Sequence, residues 1–123
     1  MSDIKTDMVN HPPHYKDASG IECIEVTKHM QFCGGNCFKY LYRAGKKGST
    51  VEDLKKAAWY AERAWIGNEV INDEAYQKLR EVLRYREGNV CKAMQMIKVD
   101  NWNKAEKFIR AEIARLESEA ADD

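Results

Sequence analysis

Apolar residues recur along the chain at three- and four-residue intervals, and no segment alternates with a period of two. From residue 50, Leu54, Ala58, Ala61 and Trp65 fall on one face at i, i+4, i+7 and i+11, which predicts a helix to about Ile66. Thr50 reads as its N-cap, with Asp53 at N3. Leu79, Val82 and Leu83 form the apolar side of a helix over 74–86, and Val90 to Ile97 reads as a short apolar one. Asn101 caps a last helix whose Trp102, Ala105, Ile109, Ile113 and Leu116 make a continuous stripe, ending in a frayed acidic "ESEAADD". Upstream, a first helix is expected over 21–32, broken by Cys33-Gly34-Gly35. A second follows from Asn36 to Ala44 with Gly45 as its C′ stop. The prolines and turn formers of "VNHPPHYKDASG" make residues 1–20 an extended N-terminal arm. The expected architecture is an all-α compact bundle of about five to six helices, a single helical domain over 21–123.

Charge changes this picture locally. Twenty basic and twenty acidic side chains cancel, which argues against a nucleic-acid polymer as partner. Residues 36–65 nevertheless hold seven basic groups against three acidic ones, an imbalance that suits a small anion. No apolar run approaches the roughly 18–20 residues of a membrane span. The polar "MSDIKTD" start reads as no signal peptide, so a cytoplasmic protein with reduced cysteines is expected. The four cysteines contain no C-x-x-C pair and read as buried free thiols. His11 and His14 flank two prolines, an arrangement that lacks the ordered face and extra ligands of a metal site; no metal is expected.

The candidate chemistry lies in "GGNCFKYLYRAGKKG". Asn36, Lys39, Arg43 and Lys46 stand at i, i+3, i+7 and i+10, opposite the core-facing Cys37, Phe38, Leu41 and Ala44. Lys39 and Arg43 repel one another at i, i+4 unless an anion bridges them, and Arg and Lys are the side chains that bind phosphate oxygens. The upstream glycines would open the helix N-terminal N–H groups to the same ligand. The alternative is a solvated face paired with Glu52 or Asp53. A P-loop is excluded, because its first glycine would fall at Tyr40 and its hydroxyl residue at Lys47. On the next helix Asp53, Lys56, Tyr60 and Arg63 repeat the spacing. Asp53 there would orient Arg43 or Lys46, and Tyr60 would stack on a base.

With "NHPPHY", "GIECIEV", "GNCFKYLYRAGKKG" and "EDLKKAAWYAERA", residues 10–65 resemble the SaV-like family of phage proteins, a domain of unknown function; the helical extension 70–123 lies outside the resemblance. The same block is similar to the C-terminal half of a coliphage nucleotide kinase. The family also includes a lactococcal phage protein through which an abortive-infection system senses the phage. Carried over, the resemblance implicates His14, Tyr15, Glu22, Glu25, Asn36, Lys39, Tyr40, Arg43, Lys46, Asp53 and Lys56. It implies a homo-oligomer in the cytoplasm of the infected bacterial host.

The resulting expectation is a phosphorylated nucleotide held by Asn36, Lys39, Arg43, Lys46 and Lys56, with His14, Tyr15, Tyr40 and Tyr60 on base or ribose and Asp53 orienting. The leading role is a counter-defence sponge for a host nucleotide signal, cyclic or of ADP-ribose type, without cofactor. The alternatives are a nucleoside monophosphate kinase using Glu22 or Glu25 as base, the one case that calls for Mg²⁺, and a factor engaging a host abortive-infection protein.

Overall fold

A computed structural model describes residues 17–46 and 48–122; His11, His14, Tyr15 and most of the expected arm lie outside the described residues. Six helices form and, among those residues, no strand. They are α1 (Cys23–Thr27), α2 (Phe32–Arg43), α3 (Thr50–Ile66), α4 (Asp73–Leu83), α5 (Gly88–Lys98) and α6 (Trp102–Asp122). α3 packs between α2 and α6, α5 lies along α6, and α4 joins α1 to α5. One apolar cluster takes side chains from every helix, including Val26, Phe38, Leu41, Leu54, Leu79, Met94, Ile97, Trp102 and Ile109.

The largest departure from the sequence reading is at Gly34-Gly35. These glycines do not break a helix; they sit buried in the first turn of α2, and the break falls earlier, at residues 28–31. The cause is tertiary. Glu69, in the loop after α3, places its carboxylate against the N-terminus of α2. The N–H of Cys33 donates to its Oε2 at 3.1 Å and that of Gly34 to its Oε1 at 2.7 Å. A charge-assisted cap of this kind offsets the low helix propensity of two glycines. The Glu69 carbonyl accepts from the Trp102 indole at 2.8 Å, and Val70 and Ile71 donate their N–H groups to Gln31 and Asp100. One short loop thus ties α2 to the start of α6.

Smaller differences have equally local causes. Ser49, not Thr50, caps α3, its hydroxyl accepting from the N–H of Glu52. Asp53 is therefore one position beyond N3 and free for another partner. Ala44 and Gly45 (φ +85°) form a type II turn, with the N–H of Lys46 donating to the Arg43 carbonyl. Trp65, expected in the core stripe, is 52% exposed at the end of α3; Ala57 and Ala64 take buried positions instead. The acidic end expected to fray continues α6 through residue 122, with Arg115 pairing with Glu112 and Glu119. Arg86, read as the end of a helix, turns inward. It pairs with Asp17 at 3.0 Å and donates to the carbonyls of Leu41 and Tyr42, closing the C-terminal end of α2.

The two adjacent glycines should respond oppositely to alanine. A Cβ on Gly34 would lie 2.7 Å from Cη2 of Trp102 and 3.1 Å from the Glu69 carboxylate. Gly34→Ala should therefore cost about 1–3 kcal/mol. At Gly35 the nearest atoms are 3.7 Å away, so Gly35→Ala should stabilise α2 by about 0.5–1 kcal/mol. Urea unfolding midpoints of the two variants check the sign.

Candidate functional site

The buried side chains of α2, Cys37, Phe38, Leu41 and Tyr42, fix which face of that helix looks outward. That face presents Phe32, Asn36, Lys39 and Arg43. α3 is rich in buried alanine, so the two helices lie close. Asp53, Lys56, Tyr60 and Arg63 of α3 come up beside the α2 ridge. Tyr40 and Tyr60 stack across the seam, 6.1 Å between centroids and 10° between planes. Phe32 and Trp59 each meet Tyr60 edge-on, at 6.2 Å and 5.0 Å.

Three cations gather round Tyr40. The Lys39 ammonium is 4.6 Å from its ring centroid, the Lys56 ammonium 5.4 Å and the Arg43 guanidinium carbon 5.9 Å. Arg63 lies 4.8 Å over Trp59. Ring faces carry partial negative charge and temper the repulsion among these cations, each contact contributing about 0.5–1 kcal/mol at an exposed site. Among the described residues, no carboxylate lies within ion-pair distance of Lys39, Lys56 or Arg63. Their charge is open to an anion from solution.

Arg43 is held differently. Asp53, only 4% exposed, faces it with Oδ2 3.5 Å from Nε, and neither atom completes a hydrogen bond. The buried carboxylate anchors the guanidinium through its Nε edge, which leaves the terminal nitrogens for a ligand fork.

Other expected members are drawn elsewhere. Lys46 follows the turn at Gly45 and does not extend the stripe. Exposed as a residue, it carries its ammonium over the Tyr42 ring, 3.8 Å from the centroid. Desolvation there, reinforced by the charge of Arg86, pulls its pKa down to about 8. Asn36 donates its amide to the Phe32 carbonyl at 2.8 Å, within its own helix. The expected opening of the α2 N-terminus to a ligand is overturned, since Glu69 already occupies the Cys33 and Gly34 N–H groups. Glu22 stands at the N-cap of α1. Glu25 accepts from the Glu22 N–H at 2.6 Å and pairs with Lys78, and the backbone bond foremost holds its pKa below the usual range. His14 and Tyr15 lie outside the described residues.

Beside the ridge, Thr27, Met30, Phe32, Gly35, Asn36 and Lys39 line a shallow hollow of about 270 Å³. Among the described residues no three or more His, Cys, Asp and Glu side chains gather as a metal set. Burial pushes the Cys23 thiol up to about 12 and raises that of Cys37 further, so neither supplies a thiolate near neutrality. Cys33 is half-buried rather than buried. The sequence reading does not foresee Phe32, Trp59 and the ring contact of Arg63 as neighbours of the ridge. The adjacent Trp59-Tyr60 pair opposite a cationic helix was the signal available for them.

These surroundings set three expectations. Arg43→Ala strands a buried carboxylate and should destabilise the fold by about 2–3 kcal/mol, less than a fully buried pair because Arg43 is partly exposed. Lys39→Ala should leave stability within about 0.5 kcal/mol of wild type; thermal unfolding checks both. Because the folded pKa of Glu25 is depressed, its stabilising contribution is present above its unfolded value, about 4.3, and is lost as pH falls through the folded value. The melting-temperature gap between wild type and Glu25→Gln should therefore narrow from pH 6 to pH 3.

No solved structure matches the chain significantly. No helix among the described residues is long and apolar enough to cross a membrane. Over 71 residues the chain is 41% identical to the Gene 1.7 protein of Enterobacteria phage T3, covering 50% of this chain and 43% of that one. The chain thus spans less than half the length of that relative. Residues 9–62, which include α1, α2 and most of α3, match the model of DUF3310, a protein family of unknown function.

Proposed function

We propose that the α2–α3 face binds a phosphorylated nucleotide and that the protein acts as a phage accessory factor by sequestering it. The observation that carries this reading is the ring of Lys39, Arg43 and Lys56 about the stacked Tyr40 and Tyr60. The cations supply point-charge and forked donors for phosphate, and the tyrosines supply a flat surface for a base. Asp53 fixes Arg43 in advance, which lowers the ordering cost of binding. The face is shallow, so a segment outside the described residues, or a second copy, would complete the enclosure. His14 and Tyr15 are the candidates from this chain.

Sequestration is favoured over kinase chemistry because two carboxylates that could serve as base are already engaged. Asp53 is buried against Arg43, and Glu25 caps α1 and pairs with Lys78. A phosphoryl-transfer base would have to be free to accept the proton of the attacking hydroxyl. The natural ligand on this reading is a nucleotide signal made by the host, and no resident cofactor is required.

Lys39→Ala and Lys56→Ala together should weaken nucleotide binding at least about tenfold, about 1.4 kcal/mol, without altering the fold. Wild-type affinity should fall with added salt. Calorimetric titration measures both effects. After incubation with nucleotides and denaturation, chromatography should return the ligand unchanged. A phosphorylated product would replace sequestration by kinase activity, and unaltered affinity in the double variant would remove the face from the site.

A further inference from the structure

The α2–α3 face has more aromatic and cationic surface than one nucleotide uses. A single base on Tyr40, with its phosphate on Lys39, Arg43 and Lys56, leaves Trp59 and Arg63 idle. Yet Trp59 is 50% exposed, and Arg63 lies over its ring at 4.8 Å. Around α3, Trp59 stands about 100° from Tyr60, and Lys56 and Arg63 fall roughly 40° and 60° along the same arc. The two cations therefore lie between two aromatic stations. Tyr40, stacked on Tyr60, is one; Trp59, edge-on to Tyr60, is the other.

The second station is also a recess. Trp59 walls a groove of about 500 Å³ between α3 and α6, floored by Ile113 and Ala114. Arg110, Lys55 and Glu117 border it, the last two paired at 3.5 Å. Apolar floor, aromatic wall and polar rim are what a second base requires. The crest of α3 between the stations carries the positive charge that a bridging phosphate requires.

Resting on the nucleotide reading, we infer that the ligand is a dinucleotide, cyclic or linear. One base lies on Tyr40, the other against Trp59, and the phosphates cross α3 at Lys56 and Arg63. A mononucleotide engages the first station alone.

The test is calorimetric titration of the full chain with AMP and GMP, the linear dinucleotides pApA and pGpG, and the cyclic dinucleotides of adenine and guanine. At least one dinucleotide should bind ten or more times tighter than its mononucleotide. Trp59→Ala, and separately Arg63→Ala, should erase that advantage and leave mononucleotide affinity within about twofold. Tyr40→Ala should weaken both ligand classes. Circular dichroism confirms folding, and the exposure of Arg63 makes its variant the safe one should Trp59→Ala perturb α3. Equal affinity for mono- and dinucleotides, or an advantage that survives both α3 variants, overturns the two-station inference and leaves the nucleotide reading standing. Absence of binding by every nucleotide overturns both.

Discussion

The carboxylate of Glu69, set against the first turn of α2 beneath Trp102, is the contact on which the rest of the arrangement depends. It satisfies two N–H groups of a helix that opens on two glycines. Its own carbonyl takes the Trp102 indole, and the ring in turn lies where a Cβ of Gly34 would be. Helix cap, close approach and tryptophan hydrogen bond are thus one assembly. Remove any part and the others lose their partner, since a buried donor left unmatched costs more than the bond itself contributes. At the other end of α2, Arg86 performs a similar service for the last carbonyls and ties in Asp17. α2 is therefore braced at both ends, and its outward face is held rigidly.

That bracing decides where positive charge is left exposed among the described residues. A helix N-terminus is a ready anion site in general, but here the protein's own carboxylate fills it. Positive charge left open to solvent is on side chains instead, along the α2–α3 seam. The stacking of Tyr40 on Tyr60 gives those side chains a common platform, and Asp53 gives one of them a fixed direction. Lys46, beyond the turn at Gly45, is diverted to Tyr42 and leaves the group. The cationic group that results is drawn from two helices, with Lys56 as expected beside Tyr40 and Lys46 apart from it.

The segment that matches the family model ends before the residues that brace it. Residues 9–62 contain the cations and tyrosines, whereas Glu69, Arg86 and Trp102 all lie beyond. The loop after α3 supplies the cap, the loop after α4 the guanidinium and α6 the ring that hold the matched segment in shape. α6 also contributes the groove in which Trp59 stands.

Much was determined by the sequence alone. The 3.6-residue period gave helices and no strands, and the stripe of α6 and the outward-facing Lys39 and Arg43 could be read from spacing, because amphipathic periodicity is a local property. Capping by Asn101 is local in the same sense. Tertiary structure decided the rest. Gly34-Gly35 reads as a break until a carboxylate 35 residues away caps the turn, and Trp65 reads as core until the packing of α3 leaves it at an exposed end. Thr50 reads as the cap of α3 until Ser49 takes that role, and Arg86 as a helix terminus until it finds Asp17. In each case the deciding partner is distant in sequence or depends on which neighbour wins a shared position. Long-range capping, close approach and charge pairing leave no periodic mark on the chain that carries them.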